Sequence, residues 1–307
     1  MNTFNSKRAR LRKYRALYFM VLPAVVSYFM FKYVPAAGFR MAFVDYKLGK
    51  PISECKFVGF KYFARFFSDL SIAKNVFFNT IFINVFSLIG IYLAGVIISI
   101  AFQECKWKKI SHVAQMTAMF PYFMSAVVVY SIALVFFGQN NGVINQFLKS
   151  TGIVERGVNF LGGEKWSRWS MIFCNIWIQA GYYSIMFYST LTSINNDEYD
   201  AASIDGATRW QRIRYITLPH LSSTIWVLGI VSAGSIMTAS FDMFMLWTNA
   251  QNYDSMITLG VYSYKYGLGK SQFSYATAVD IFNTLVSLVI VLIVNTIAKK
   301  RANASLV

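Results

Sequence analysis

Few residues in this chain are placed to do chemistry. Only two carboxylates fall inside long apolar runs, Asp242 and Asp280. An acidic side chain at the centre of a membrane helix costs about 2.5–3.5 kcal/mol on insertion scales, so each must face a wet path, a ligand or a partner. Cys55, Cys105 and Cys174 share no metal-type spacing, and His112 and His220 stand far apart, so neither a zinc site nor a disulfide framework is indicated. No HExxH, no Ser/His/Asp set and no paired carboxylates are present in the apolar runs, so neither catalytic nor metal-binding residues are expected. Gly267-Leu268-Gly269-Lys270-Ser271 is a near miss to a phosphate-binding loop. That loop needs a glycine five positions before Gly269, where Tyr264 stands, and no strand precedes it.

The elements that must position these residues follow from composition. The chain has 307 residues, 56% hydrophobic and only 14% charged, where a soluble domain carries about 25% charged residues. With a mean hydropathy of +0.45, this argues against a cytosolic enzyme, a secreted disulfide scaffold or a disordered protein. The net charge of +16 would suggest nucleic acid in a soluble protein. Here the basic residues sit mostly between apolar runs, so membrane topology explains them and no nucleic-acid partner is expected. An all-α, polytopic fold with six spans is predicted, near 16–37, 75–102, 113–137, 169–193, 221–247 and 275–298. Gly138-Gln139-Asn140-Asn141-Gly142 ends the third, and the first reads as a retained span rather than a signal peptide. Three regions make up the chain: a basic tail 1–15, a transmembrane domain 16–298 and a tail 299–307. Lys7, Arg8, Arg10, Arg12, Lys13 and Arg15, the triad Lys106, Lys108 and Lys109, and Lys299, Lys300 and Arg301 all fall on one side. This makes both termini cytoplasmic, although the first outer loop also carries Lys47, Lys50, Lys56, Lys61 and Arg65.

The most informative loop, 195–220, lies on that same side. Its physics predicts two short helices with a break. Asn196 or Asp197 caps the first, and the acidic start complements the helix dipole. Ala201 and Ala202 permit close approach, and Gly206 permits a turn. Arg209, Trp210, Arg212, Ile213 and Ile216 form an amphipathic stretch, which Pro219 ends. The residues alone leave two readings open, a docking hairpin or a solvated loop.

The same residues resemble the EAA loop of permease subunits of ATP-binding-cassette importers. Asp200-Ala201-Ala202, Gly206, Ile216 and Leu218-Pro219 fall in register with it, Asp200 replacing the usual glutamate. Ile204-Asp205-Gly206-Ala207 and Ile216-Thr217-Leu218-Pro219 resemble the carbohydrate-uptake, maltose-type branch. Leu22-Pro23, Phe31-Lys32-Tyr33-Val34-Pro35, Ala42-Phe43-Val44-Asp45-Tyr46, Val58-Gly59-Phe60-Lys61-Tyr62-Phe63, Asn79-Thr80, Pro121-Tyr122-Phe123, Gly142-Val143-Ile144-Asn145 and Tyr275-Ala276-Thr277-Ala278-Val279 resemble its oligosaccharide and polysaccharide permeases. The resemblance implies a type I importer transmembrane fold in a bacterial cytoplasmic membrane. The implied partners are a second homologous permease, two ATPase subunits that bind ATP and Mg, and an extracytoplasmic binding protein. It makes Glu198, Asp200, Ala201, Ala202, Asp205, Gly206 and Arg209 the ATPase-coupling residues, and leaves this chain without a cofactor or an enzymatic role of its own.

Sugars offer hydroxyls and apolar ring faces, which suit amides, carboxylates and hydroxyls beside aromatic rings. In span four Trp177, Gln179, Tyr182 and Tyr183 supply such a mixture, with Gly181 expected to open space. Positions 179 and 182 also correspond to sugar-contacting positions in the maltose-type permease. In span five Ser232, Ser235 and Ser240 lie close to Asp242. Trp177, Gln179, Tyr182, Tyr183, Ser235 and Asp242 are the substrate-binding candidates. Helix packing and an interfacial aromatic belt remain open alternatives for the aromatic residues and serines, and hydrogen bonding to the sister permease for Asp242 and Asp280. The rival function is a self-contained secondary sugar transporter or channel using Asp242 and Asp280, which leaves the 198–219 loop unexplained. A membrane enzyme acting on lipid-linked sugar would need a catalytic set that the sequence lacks.

Overall fold

The computed structural model describes residues 14–302. Of the expected tails 1–15 and 299–307, residues 1–13 and 303–307 lie outside the described residues. Within them the architecture is helical, with one isolated antiparallel bridge between Val44 and Phe57. The first helix, α1, is Arg15–Phe43. It carries Pro23 and Pro35, and its Arg15–Tyr28 stretch has no buried residue. Only its far end docks: Ser274 Oγ donates to Val44 O at 2.7 Å and accepts from Tyr46 N at 2.9 Å. The amphipathic α2, Lys61–Ser68, buries Tyr62 and Phe66. α3, Leu70–Glu104, runs for 35 residues from an Asp69 cap that accepts from Ile72 N.

The predicted third span is a single helix over 113–137. The structure divides it into α4, Lys108–Phe123, and α5, Ala126–Phe137, bent by 103°. Pro121 lacks an N–H to continue the ladder, and Ser125 restarts it by accepting from Val128 N at 3.4 Å. α6, Val143–Ser150, follows the glycine-rich exit. α7, Ser167–Leu191, has 25 residues, about 37 Å at 1.5 Å per residue. It is long enough to cross a bilayer, but its amide and hydroxyl side chains keep it from qualifying by hydropathy. After α8, Asn196–Ile204, α9 runs unbroken over Arg209–Ser235. Pro219 therefore does not end the amphipathic stretch. A wider turn at Ile213–Thr217 absorbs the proline by displacing the carbonyl that its ring would strike.

The predicted fifth span, 221–247, is also broken. Its helix stops at Ser235 and restarts as α10, Phe241–Trp247, after Ser240 adopts a left-handed φ of 58°. Asp242 thus lies in the first turn of a short helix rather than mid-helix. α11, Tyr253–Met256, and α12, Leu259–Gly267, precede α13, Phe273–Ala302. Among the described residues four helices are long and apolar enough to cross a membrane, and the bent pair makes up to five; α7 has the length of a sixth.

The loops at the far end are packed structures. Asn252, fully buried, donates from Nδ2 to Leu161 O at 3.2 Å and Trp247 O at 2.9 Å. Arg168 donates to Asn79 Oδ1 at 2.6 Å and Ser255 O at 2.8 Å. The principal core gathers Ile83, Met171, Phe244, Trp247 and Met256 beneath them. Gly181, expected to open space, instead admits the backbone of α4: a Cβ there would collide with the carbonyl of Ala118. Gly181→Ala should therefore destabilise by about 1–3 kcal/mol through overpacking, read as a lowered thermal midpoint in detergent; an unchanged midpoint would contradict the close approach.

Between α1 and α3, Tyr62 Oη donates to Asp45 Oδ1 at 2.6 Å. This bond holds the Asp45 carboxyl below its ordinary 3.8. Burial, then the same bond, pushes the Tyr62 hydroxyl up to about 12. A depressed carboxyl contributes stability above its unfolded value near 3.8 and loses it as pH falls through the folded value. Tyr62→Phe should lower the thermal midpoint near neutrality and flatten its fall between about pH 5 and about pH 3.

Candidate translocation cleft and coupling hairpin

The hairpin is built from α8, a tight turn and the start of α9. Asn195, rather than Asn196 or Asp197, caps α8, its Oδ1 accepting from Asp197 N at 3.2 Å. Asn195 alone holds the extended backbone a cap requires. Ala207 N–H bonds Ala202 O at 2.9 Å and Gly206 N–H bonds Ser203 O at 3.2 Å, with Gly206 at φ +76°. This is the paired 6→1 and 5→2 closure that favours glycine at the left-handed position. Thr208 and Gln211 then form a reciprocal capping box that starts α9.

An ion pair and a carboxylate–imidazole contact hold this hairpin. Arg209 Nε meets Glu104 Oε2 at 2.7 Å, and Glu198 Oε1 lies 3.6 Å from His220 Nε2. Tyr199 Oη and Thr217 Oγ1 are 3.0 Å apart, and Arg212 donates to Ser203 Oγ at 2.9 Å. Beneath them Phe187, Leu191, Ile194 and Leu221 form a second apolar cluster, with Tyr199 and Ile216 against it. The outward side is unpaired. The carboxylates of Asp200 and Asp205 have no partner among the described residues, and Ala201 is exposed. Ile204 is 88% exposed and Trp210 69% exposed, so the hairpin offers apolar side chains to a partner. Nothing lies within 4 Å of a Cβ built on Gly206. Glu104 carries no motif and was not anticipated; its place at the last turn of a span beside a basic loop is the only hint.

Midway along α7 lies a cleft of about 600 Å³. It sits where both broken spans meet: Tyr122, Met124 and Ala126 come from the α4–α5 bend, and Thr238, Ser240 and Asp242 from the α9–α10 break. Asn175 and Gln179, one helical turn apart, supply the α7 wall. Ser240 Oγ donates to Asn175 Oδ1 at 3.1 Å. Asn175 is 2% exposed, yet its Nδ2 has no partner. An unmatched buried amide donor costs about 1–3 kcal/mol unless a ligand or water meets it.

Of the six substrate candidates the cleft gathers Gln179 and Asp242. Tyr182 stands behind the wall, its ring stacked on that of Tyr122 with centroids 4.5 Å apart and an interplanar angle of 12°. Tyr183 turns inward, where its hydroxyl lies 3.0 Å from Ser232 Oγ, which Tyr92 Oη also meets at 2.9 Å. Ser235 donates to Ser232 O at 3.2 Å and lies off the cleft. Trp177, two residues from Gln179, points to the opposite face beside Phe173. Tyr122, Asn175 and Thr238 were not anticipated. The four-residue spacing of Asn175 and Gln179 was the available signal.

Residues 87–302 match the family described as binding-protein-dependent transport system inner membrane component. The protein LplB of Bacillus subtilis is 32% identical over 95% of this chain and 91% of its own length. The polygalacturonan/rhamnogalacturonan transport system permease protein YteP of Bacillus subtilis is 32% identical over 95% and 90%. Among solved structures, a chain of a bacterial alginate ABC transporter, in complex with an alginate pentasaccharide-bound periplasmic protein, is similar with a TM-score of 0.87. It is 30% identical over 97% of this chain and 99% of that one. A helical chain with a braced hairpin at one end, a polar cleft between two broken spans and these relatives belongs to the inner-membrane permease family of binding-protein-dependent transport systems.

Proposed function

We propose that this chain is the permease subunit of an ATP-driven importer that moves an oligosaccharide or polysaccharide through the cleft beside Gln179. One observation carries the reading: hairpin and cleft share the same two helices. α7 ends at the hairpin and lines the cleft with Asn175 and Gln179, while α9 starts at the hairpin and ends at the break beside Ser240. A displacement of the hairpin is therefore transmitted along two rigid rods to both walls. The cargoes named for the relatives, polygalacturonan/rhamnogalacturonan and alginate, support a glycan as substrate.

In this reading the transmembrane domain spans 16–298, flanked by the tails 1–15 and 299–307, with both termini and the hairpin cytoplasmic. ATP and Mg are bound by two partner ATPase subunits, which dock on Ala201, Ala202, Gly206 and the exposed Ile204 and Trp210. Glu198 and Arg209 brace the hairpin, and Asp200 and Asp205 face the docked subunit. A second, homologous permease closes the open side of the cleft, and an extracytoplasmic binding protein delivers the sugar. Closure of the ATPases pulls the hairpin and rocks α7 and α9, exchanging inward-facing for outward-facing states. Within the cleft Gln179, Asn175, Ser240 and Asp242 meet hydroxyls, while Tyr122, stacked on Tyr182, offers a ring face.

The test is reconstitution of the native complex, recovered through a tagged chain, in liposomes with the binding protein and radiolabelled alginate or galacturonan oligosaccharides. Gly206→Leu forces a branched side chain into a left-handed turn. It should abolish uptake and the stimulation of ATPase activity by the loaded binding protein, while leaving the chain in the membrane. Full uptake by that variant, or purification of the chain without an ATPase, would sink the proposal. Glu104→Ala should weaken coupling more mildly, with several-fold lower uptake per ATP hydrolysed, since an exposed pair contributes about 0–1 kcal/mol. The exchanged pair Glu104→Arg with Arg209→Glu should restore part of that ratio; equal ratios in native and Glu104→Ala complexes would count against the brace.

A further inference from the structure

A second cavity of about 460 Å³ lies within this chain between α3, α10, α12 and α13. It adjoins the cleft, since Thr238 and Phe241 line both. Four of its polar residues come from spans: Asn84 on α3, and Thr277, Asp280 and Asn283 on α13, the last two one turn apart; the Thr277 hydroxyl already donates to Phe273 O at 2.8 Å. Asn84 is 4% exposed and Asn283 5% exposed, yet Asn84 Nδ2 and Asn283 Oδ1 have no hydrogen-bond partner. Asn283 lies ten residues beyond Phe273, the first residue of α13, hence about 15 Å along the helix from its end. Asn283 Nδ2 reaches Met237 O at 3.5 Å, but its Oδ1 and Asn84 Nδ2 each cost about 1–3 kcal/mol unless a ligand or water meets them.

Their chemistry narrows the ligand. One wall presents an unmatched donor, the other an unmatched acceptor and a carboxylate. A bare cation suits Asp280 and Asn283 but meets the amide hydrogens of Asn84. An anion is opposed by Asp280. A hydroxyl accepts from one wall and donates to the other, and exchanging O and N on either amide still leaves a mixed set. Phe241, Tyr264 and Phe273 complete the lining with ring faces, which suit the C–H faces of a sugar ring.

We propose that this chamber binds one pyranose unit of the transported chain through hydroxyl contacts to Asn84, Asp280 and Asn283, while neighbouring units occupy the cleft. This rests on the importer reading above. A chain of several units then reaches both spaces, and a disaccharide fills the cleft alone.

The experiment uses the complete importer in liposomes with its binding protein, and radiolabelled di- and pentasaccharides of alginate and of galacturonan. Asn84→Leu and Asn283→Leu remove the unmatched amides at nearly constant shape. For the pentasaccharide, KM should rise by at least about tenfold, with disaccharide uptake within about twofold of native and, for Asn84→Leu, which breaks no hydrogen bond, the thermal midpoint unchanged or higher. Native uptake of both lengths by both variants overturns the inference and makes the chamber packing or water only. Should the leucine variants fail to accumulate, Thr277→Phe, which fills the chamber from α13, decides in their place by the same loss or its absence. Gln179→Ala separates the two claims. Loss of both lengths there, with normal Asn84→Leu transport, overturns the chamber alone. Absence of native uptake for all four probes overturns the importer reading with these glycans, and the chamber with it.

Discussion

The hydrocarbon core of a bilayer offers a peptide group no hydrogen bond, so backbone that leaves the helix inside it must be covered by protein or line a wet space. This chain breaks its helices twice within the spans, at Pro121–Ser125 and at Ile236–Ser240. Both breaks meet at one cleft against the middle of α7. Side chains and tight turns take up the freed groups. Ser235 O accepts from Thr238 N at 3.0 Å and Ala239 N at 2.7 Å, and Asn283 Nδ2 reaches Met237 O at 3.5 Å. The polar residues that a membrane helix can least afford are thus concentrated where the backbone itself is polar.

The far end of the same two helices meets a different constraint, the bracing of a short hairpin. Its ion pair, Arg209 with Glu104, is largely exposed on the arginine side and contributes little energy. Stiffness comes from the closed turn at Gly206, the reciprocal cap at Thr208 and the buried cluster of Phe187, Leu191 and Leu221. The ion pair to Glu104 adds geometry, tying the hairpin to the end of α3, which packs along α7. Gly95 lets Tyr183 and Phe187 of α7 approach α3, a Cβ there lying 3.1 Å from the Phe187 ring. Hairpin, α3, α7 and α9 therefore pack as one unit whose opposite end is the cleft.

Local information accounts for much of the site. The turn at Gly206, the two-helix hairpin and the exit at Gly138 are short-range consequences of residue type, and the structure has all three. Where a local rule was read too strictly the fold departs from it. Pro219 sits inside α9 because a wider turn absorbs it, and Pro121 breaks a span that its apolar run alone makes continuous. Gly181 is small to admit a neighbouring helix, not a sugar. Neither choice can be seen from one helix, because each depends on which backbone stands opposite.

The sequence by itself determined an all-helical membrane chain, the order of its long apolar helices and the hairpin between α7 and α9. Hydropathy, glycine and proline act over a few residues, and a helix closes its own hydrogen bonds. Only the tertiary structure decided which side chains face the cleft. Successive residues turn about 100° around a helix, so Trp177 and Gln179 lie on nearly opposite faces, and the packing of α3, α4 and α10 around α7 selects one of them. The same packing turns Tyr183 inward, sets Asp242 at a helix start and joins Glu104 to Arg209 across more than a hundred residues.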